Sequence, residues 1–411
     1  MPELVKVTHR DGLLILAALP HLRDDTGLPK KGKHSPGRTA RQYCGALGWL
    51  RHICDKVGNC QVVVTAEYSA DEPTESRPLH WPVSGRLYLP KAWSADRERR
   101  SRSHIPEALP FRTKPELALE LVDQARAWQV PFKTVLADAG CGSNPNLRLR
   151  RIFDLAGLDE RQVSYVCAIG GFATSAKRSF GLRLPDEVRA ASEAALPEYQ
   201  GKGRPRSQTW QSQLPRPAPL HTAEALSRAR PQEAWQTVAW REGTKKTLCK
   251  QFVAIRAHRA TGNPAQGRRN SHSRVNTGPE GWLLAERPIP GHDGDVKWYY
   301  SNLPPDTRLE RLVALAHSRW VIEQFYEDAK GECGLRDFSK MRRSRQGRRW
   351  DGLHRHLALV MLTYSFLMRQ RALASHGSGG GLFPLQNSPD APSNTPPGAA
   401  VSGAELDQLA Y

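Results

Sequence analysis

The stretch Thr134-Val135-Leu136-Ala137-Asp138-Ala139-Gly140-Cys141-Gly142 decides the fold class. A short, largely apolar run leads straight into an acid and then into small residues, which reads as a buried strand ending on Asp138. Small neighbours let a ligand approach the backbone there, so the carboxylate can be offered outward. An Asp that only shapes a turn or caps a helix is the plainer reading of this segment by itself. Upstream, residues 115–128 carry Leu117, Leu119, Leu121, Val122 and Ala125 at mostly helical spacing with Pro115 in the first turn. Downstream come a basic helix over 145–155 and a strand over 163–169. Three strand-like runs, 12–18, 60–68 and 85–89, precede this β–α–β alternation. Together they predict an α/β protein: a mixed sheet flanked by helices.

The texture changes beyond residue 170. Residues 202–219 are rich in Pro, Gln and Arg, and 261–279 in Gly, Asn, Ser and Arg; both read as loops. Strand-like runs at 235–241, 249–256, 281–286 and 296–300 make this block a β-rich insertion. One long helix is expected over 307–332 and a second over 352–373, whose Leu-Ala-Leu-Val-Met-Leu-Thr-Tyr-Ser-Phe-Leu-Met run is expected to be core. The Gly/Ser/Pro-rich end is expected to be disordered. The organisation expected is therefore a first core part at 1–169, the insertion at 170–300, the rest of the core at 301–374 and a tail at 375–411.

Composition narrows the partners. The 411 residues carry 60 Lys and Arg against 41 Asp and Glu, a net charge of +19. The positive residues are clustered at 97–102, 148–151 and 342–355, which points to nucleic acid; the alternative is a basic surface that contacts nothing. No run of about 20 apolar residues exists, so a spanning helix and a membrane partner are not expected. Residues 13–19 are too short and poorly flanked for a convincing secretory leader. Seven Cys without a Cys-x-x-Cys pair fit reduced thiols rather than a disulfide frame or a zinc site, so a cytoplasmic location is expected.

Two further acidic sites stand out. Asp24-Asp25-Thr26-Gly27 follows the first strand and precedes Lys30, Lys31 and Lys33; adjacent acids are common in turns, but the basic cluster suits an anionic polymer lying across them. The other site rests on helical geometry. Taking Arg319 as the origin at 100° per residue, Glu323 falls near roughly 40°, Tyr326 near roughly 340° and Lys330 near roughly 20°. One polar stripe results, with Ile322, Phe325 and Ala329 forming an apolar face beside it. An ordinary solvated face with an Arg319–Glu323 ion pair explains the stripe equally well. Three acids in a basic chain shift the balance, because Mg²⁺ takes hard oxygen ligands and leaves positions for phosphate and water. Two such ions can stabilise both oxygens of an in-line phosphoryl displacement.

The run from Arg319 to Glu332 resembles bacterial insertion-sequence DDE transposases, in the branch with a Tyr, Arg, Glu, Lys signature around the third acid. Arg319, Glu323 and Lys330 match that spacing, while Ala316 stands where the Tyr is expected. Asp24-Asp25-Thr26-Gly27 with Lys30-Lys31-Gly32 resembles the first-Asp motif, and Val135-Leu136-Ala137-Asp138 the second. Gly347-Arg348-Arg349-Trp350-Asp351-Gly352-Leu353-His354-Arg355-His356 is a further match. The resemblance spans roughly residues 24–373.

It implies an RNase H-like core with a β-rich insertion between the second Asp and the Glu. It further implies a DNA transposase that cleaves and transfers strands, with Asp25, Asp138 and Glu323 as catalytic and metal-binding residues for two Mg²⁺, and Mn²⁺ able to substitute. Asp24 is the alternative first ligand. Arg319, Tyr326, Lys330, Lys30, Lys31, Arg348, Arg349, His354 and Arg355 are then the DNA-binding candidates. His354 and His356 lie about 200° apart on a helix, so they do not share an ion. The implied partner is double-stranded DNA, both transposon ends and target, bound by a homodimer at the nucleoid. Members usually carry a long helical segment before the first Asp, and residues 20–23 interrupt the strand that should deliver Asp25. A truncated or altered reading frame is therefore expected, with a catalytically inactive DNA-binding relic and a general Mg²⁺-dependent nuclease as alternatives.

Overall fold

The computed structural model describes residues 12–18, 28–29, 42–43, 57–58, 60–71, 78–137, 155–169, 181–193, 218–243, 247–261, 276–335 and 349–376. By contact density the chain divides into a unit to Arg369 and a second from Gln370, whose described part is helical to His376.

The central strand is β1 (Gly12–Ala18), in which Leu13 to Leu16 are all buried. A strand this uniformly apolar belongs inside a sheet covered on both faces. It pairs antiparallel with β2 (Val63–Ser69), which pairs antiparallel with β3 (His80–Leu87). On its other edge β1 runs parallel to β4 (Phe132–Ala137), and β4 runs parallel to β5 (Ser164–Ile169). Parallel neighbours need crossovers. The first is α3 (Lys114–Ala127) and the second includes α4 (Leu155–Glu160). Thr113 and Glu116 close a capping box at the start of α3, with Pro115 in its first turn, so the sequence fixes where this helix begins. Between β3 and α3 lie two short helices, α1 (Lys91–Ala95) and α2 (Arg97–Arg102).

The β-rich block continues the same sheet. Beyond the short β6 (Gly181–Arg183), α5 (Pro185–Glu193) and α6 (Ala223–Arg228) come β7 (Gln236–Glu242), β8 (Thr247–Thr261), β9 (Asn276–Arg287) and β10 (Lys297–Ser301). β10 pairs antiparallel with β5, giving a ten-stranded sheet in the order β6-β8-β9-β10-β5-β4-β1-β2-β3, with β7 on β8. Strands β8 and β9 are longer than their apolar stretches predict, because the hairpin pairing carries polar residues such as His258 and Glu280 along with it.

The last elements are α7 (Leu309–Ser318), α8 (Trp320–Gly331) and α9 (Trp350–His376). Alternation along β2 sorts the faces. Thr65 and Glu67 face the side carrying α8 and α9, while Arg86, on the other face of β3, reaches Gln124 of α3 at 3.1 Å.

Two expectations are corrected. The single helix over 307–332 is two helices meeting at Arg319. The Ser318 hydroxyl bonds the Ala314 carbonyl at 2.8 Å, and Ile322 N bonds Arg319 O three residues back, so the ladder changes register there. The apolar run in α9 is not wholly core. Leu353, Leu357, Val360, Tyr364 and Met368 form the buried stripe, whereas Leu359, Leu362 (66% exposed) and Phe366 face outward. A sheet covers only one side of a helix laid on it. The expected basic helix at 145–155 lies largely in undescribed chain, with only Leu155 described, and the tail beyond His376 lies wholly outside the described residues.

The β9–β10 junction gives a test of this packing. A Cβ at Gly281 would stand 2.3 Å from the Ser301 carbonyl oxygen and 2.9 Å from the Tyr300 ring. Gly281→Ala is expected to destabilise the protein by about 1–3 kcal/mol, the usual cost of overpacking, read as a lower denaturant midpoint with an unchanged slope.

Candidate active site

Two parallel strands lead toward the candidate acids. In the β1–β4 register Leu16 stands opposite Ala137, the last described residue before Asp138 in the sequence, and β1 continues to Ala18 paired with β2. Asp138 itself lies outside the described residues, as do Asp24, Asp25, Lys30, Lys31 and Arg348. Strand β1 ends on Ala17 and Ala18, and Asp25 follows seven residues later in the sequence. Seven extended residues span up to about 25 Å, so the chain has ample length to return to Asp138.

Helix α8 is tied to the same level. The Tyr326 hydroxyl is hydrogen-bonded to Thr65 Oγ1, and Thr65 Oγ1 lies 3.5 Å from the Ala17 carbonyl oxygen. Glu323 sits one turn before Tyr326, so this link fixes the height of its carboxylate above the strand ends. Burial raises the Tyr326 pKa, the Thr65 hydrogen bond opposing it, so the hydroxyl stays neutral. Arg319 caps the junction and its guanidinium donates to Glu323 Oε1 at 2.8 Å. Glu323 is still 46% exposed in its side chain, so a hard oxygen donor remains open to solvent.

The polar stripe read from helical spacing is solvated only at this end. Tyr326 is 1% exposed and Lys330 is 8% exposed. Tyr326 therefore holds the helix to the sheet and is not placed to touch DNA. The wheel gave the right angles but could not show that α8 lies in the notch between β2 and α9, where Phe325 packs edge-on against Tyr364. His354 is likewise corrected: its ring lies 4.2 Å from Trp350 and its Nδ1 is 2.9 Å from the Trp350 carbonyl oxygen. Burial lowers its pKa, which leaves a neutral, engaged ring rather than a phosphate ligand. Arg355 is exposed, and Arg349 reaches His104 at 2.8 Å.

Two buried polar groups were invisible in the sequence. Glu67 on β2 lies 2.5 Å from His80 Nδ1, and His80 Nε2 lies 3.0 Å from the Tyr364 hydroxyl on α9. Burial raises the Glu67 pKa against the opposing pull of His80. The period-two alternation of β2 puts Glu67 on the Thr65 face, which is the one signal that could have found it. The other group gathers on Glu286 of β9, where Lys250 donates at 2.6 Å, Tyr299 donates at 3.0 Å and His317 Nε2 lies 3.1 Å away. His317 also stacks on Trp240 at 3.8 Å, and it stands two residues before Arg319. The insertion sheet thereby grips the end of α7 next to the α7–α8 junction.

Family comparison agrees with this geometry. The DDE superfamily endonucleases match residues 14–247, more than half of the chain. The chain belongs to this family. No curated protein matches it. The mixed ten-stranded sheet with its flanking helices is the RNase H-like fold of these endonucleases, whose members act on DNA and generally use divalent metal ions. The matched span includes Asp25 and Asp138 and ends before α7, while the Thr65–Tyr326 hydrogen bond ties the helix bearing Glu323 to β2. Among the described residues no group of three or more His, Cys, Asp or Glu forms a metal cage, and no helix is long and apolar enough to cross a membrane.

Two outcomes follow. Tyr326→Phe removes the hydroxyl that sets the height of α8; strand cleavage is expected to slow by about ten- to a hundred-fold, the effect of a shift near 1 Å, while DNA affinity and melting temperature change little. Glu286 shows the opposite balance from Glu67. Burial would raise its pKa, but His317 and Lys250 hold it down at about 2. Its folded value lies below the unfolded one, so its contribution, up to about 3 kcal/mol, is present above pH about 4.5 and disappears as pH falls toward 2. A pH series of melting curves should lose this acid-side slope in Glu286→Gln.

Proposed function

We propose that this endonuclease is the transposase of an insertion sequence, cutting DNA at the element's ends and joining the released 3′-hydroxyl to a target duplex. The observation that carries the reading is the tie between the Glu323-bearing helix and the end of β1: Tyr326 bonds Thr65, and Thr65 reaches the Ala17 carbonyl, next to Leu16 and its partner Ala137, which precedes Asp138 in the sequence. Asp25, returning along residues 19–24, would complete the set, with Asp24 as the alternative. These three carboxylates would hold two Mg²⁺ or Mn²⁺ ions, which supply an activated water and charge stabilisation at the scissile phosphate.

The chain's own groups divide the remaining work. Arg319 orients Glu323 through its 2.8 Å hydrogen bond and, standing at the exposed end of α8, faces an incoming phosphate. Arg349 and Arg355, together with Lys30, Lys31 and Arg348, would hold the backbone of the duplex. Lys330 is too deeply buried to be counted among them. Two copies, one per DNA end, and a location at the nucleoid accompany this reading.

The second reading, an inactive DNA-binding relic, is favoured by one feature: β1 ends on Ala17-Ala18, seven residues before Asp25 in the sequence. Nicking and joining assays with supercoiled DNA separate the two. Glu323→Gln preserves side-chain volume and removes one metal-binding charge. Metal-dependent nicking should fall by about a thousand-fold or more on the scale of electrostatic catalysis, with DNA affinity retained. Equal nicking in the variant would remove Glu323 from the site, and no nicking by the unaltered chain would favour the relic. Nicking without joining would indicate a general nuclease.

A further inference from the structure

Two basic runs more than two hundred residues apart in the chain meet in the fold. Trp350 N donates to the Ser103 carbonyl at 2.8 Å, and Arg349 contacts His104 Nδ1 at 2.8 Å. The end of α2 and the start of α9 are therefore one surface. In the sequence, the segment before Arg349 carries Arg336, Lys340, Arg342, Arg343, Arg345 and Arg348 against the single acid Asp337.

The α1–α2 segment is built as a rigid base. Trp93 is buried beneath it, and the Arg100 guanidinium donates to the carbonyls of Ser94, Leu109 and Glu107 at 3.1, 3.0 and 2.9 Å and also to that of Pro106. Arg100 is thus a brace. Its inward turn leaves Arg97, Arg99 and Arg102 on the exposed sides of α2. Arg99 pairs with Asp96 and Arg102 with Glu98, but exposed pairs of this kind are worth only about 0.2–1 kcal/mol and yield readily to a phosphate.

Position decides what such a surface meets. Leu87, at the end of β3, stands opposite Val63, and Val64 stands opposite Ala18. The chain that leaves β3 for α1 therefore departs from the same end of the sheet as Ala137, the residue before Asp138 in the sequence.

We propose that α2 and the first turn of α9 form a docking platform for the backbone of duplex DNA flanking the cleavage point. The inference rests on the reading of the chain as acting on DNA. It assigns to Arg97, Arg102 and Arg349 a binding role distinct from that of Arg319. The occupant is duplex DNA because the exposed guanidinium groups of α2 and the part-buried Arg349, which also lies 3.7 Å from Asp351, share one fixed base in a chain of the DDE endonuclease family.

The test is the salt dependence of duplex binding. Each phosphate contact contributes about 0.9 to the slope of log affinity against log salt. The triple variant Arg97→Gln, Arg102→Gln, Arg349→Gln should flatten that slope by about two to three and weaken binding at low salt, with its melting curve unchanged. A control triple, Arg189→Gln, Arg228→Gln, Arg308→Gln, removes the same charge from exposed positions elsewhere. It should leave the slope nearly intact. An unaltered slope in the platform triple, or equal flattening in the control, would overturn the platform while leaving the DNA reading standing. Failure of the unmodified chain to bind duplex DNA at all would overturn both.

Discussion

Strand β1 is hydrogen-bonded on both edges, antiparallel to β2 and parallel to β4, and everything functional hangs from that double pairing. The parallel edge sets Leu16 beside Ala137, the residue before Asp138 in the sequence. The antiparallel edge sets where Thr65 stands, and Thr65 in turn holds Tyr326 and the height of Glu323. Because side chains alternate along a strand, a slip of one residue in either pairing would turn Thr65 and Glu67 away from α8. Full burial of Leu13 to Leu16, each worth roughly 1.5–3 kcal/mol, makes such a slip costly.

The polar groups under α8 and α9 belong to the same design. A neutral Tyr326 bound to Thr65, and the Glu67–His80–Tyr364 chain beside it, satisfy buried donors and acceptors that an apolar interface would not contain. Such networks favour one arrangement over near alternatives, since any shift strands a desolvated group. At the α7–α8 junction the same task falls to Glu286, whose charge is held by Lys250 and His317. The insertion strands therefore do more than extend the sheet: they grip the helix end from which Arg319 and Glu323 project.

In the proposed reading, opposite charges divide the work between chemistry and attachment. The acids would act beyond the strand ends, while the exposed cations of α2 and the part-buried Arg349 would attract the polyanion without neutralising the carboxylates.

Much of this was legible in the sequence. The strand over 134–137, the helix that starts around Pro115 and the mixed sheet all follow from local pattern, because burial and helix-start chemistry are encoded within a few residues. The spacing of Arg319 and Glu323 also carried over, since an i,i+4 pair is a property of one helix. What the sequence could not decide is which face of a helix is covered. Tyr326 and Lys330 share a polar stripe with Arg319 yet are buried, and half of the apolar run in α9 is not. The meeting of Ser103 with Trp350, and of Thr65 with Tyr326, was equally hidden. Those contacts join residues hundreds of positions apart, and only the packing of helices on a finished sheet brings them within hydrogen-bonding distance.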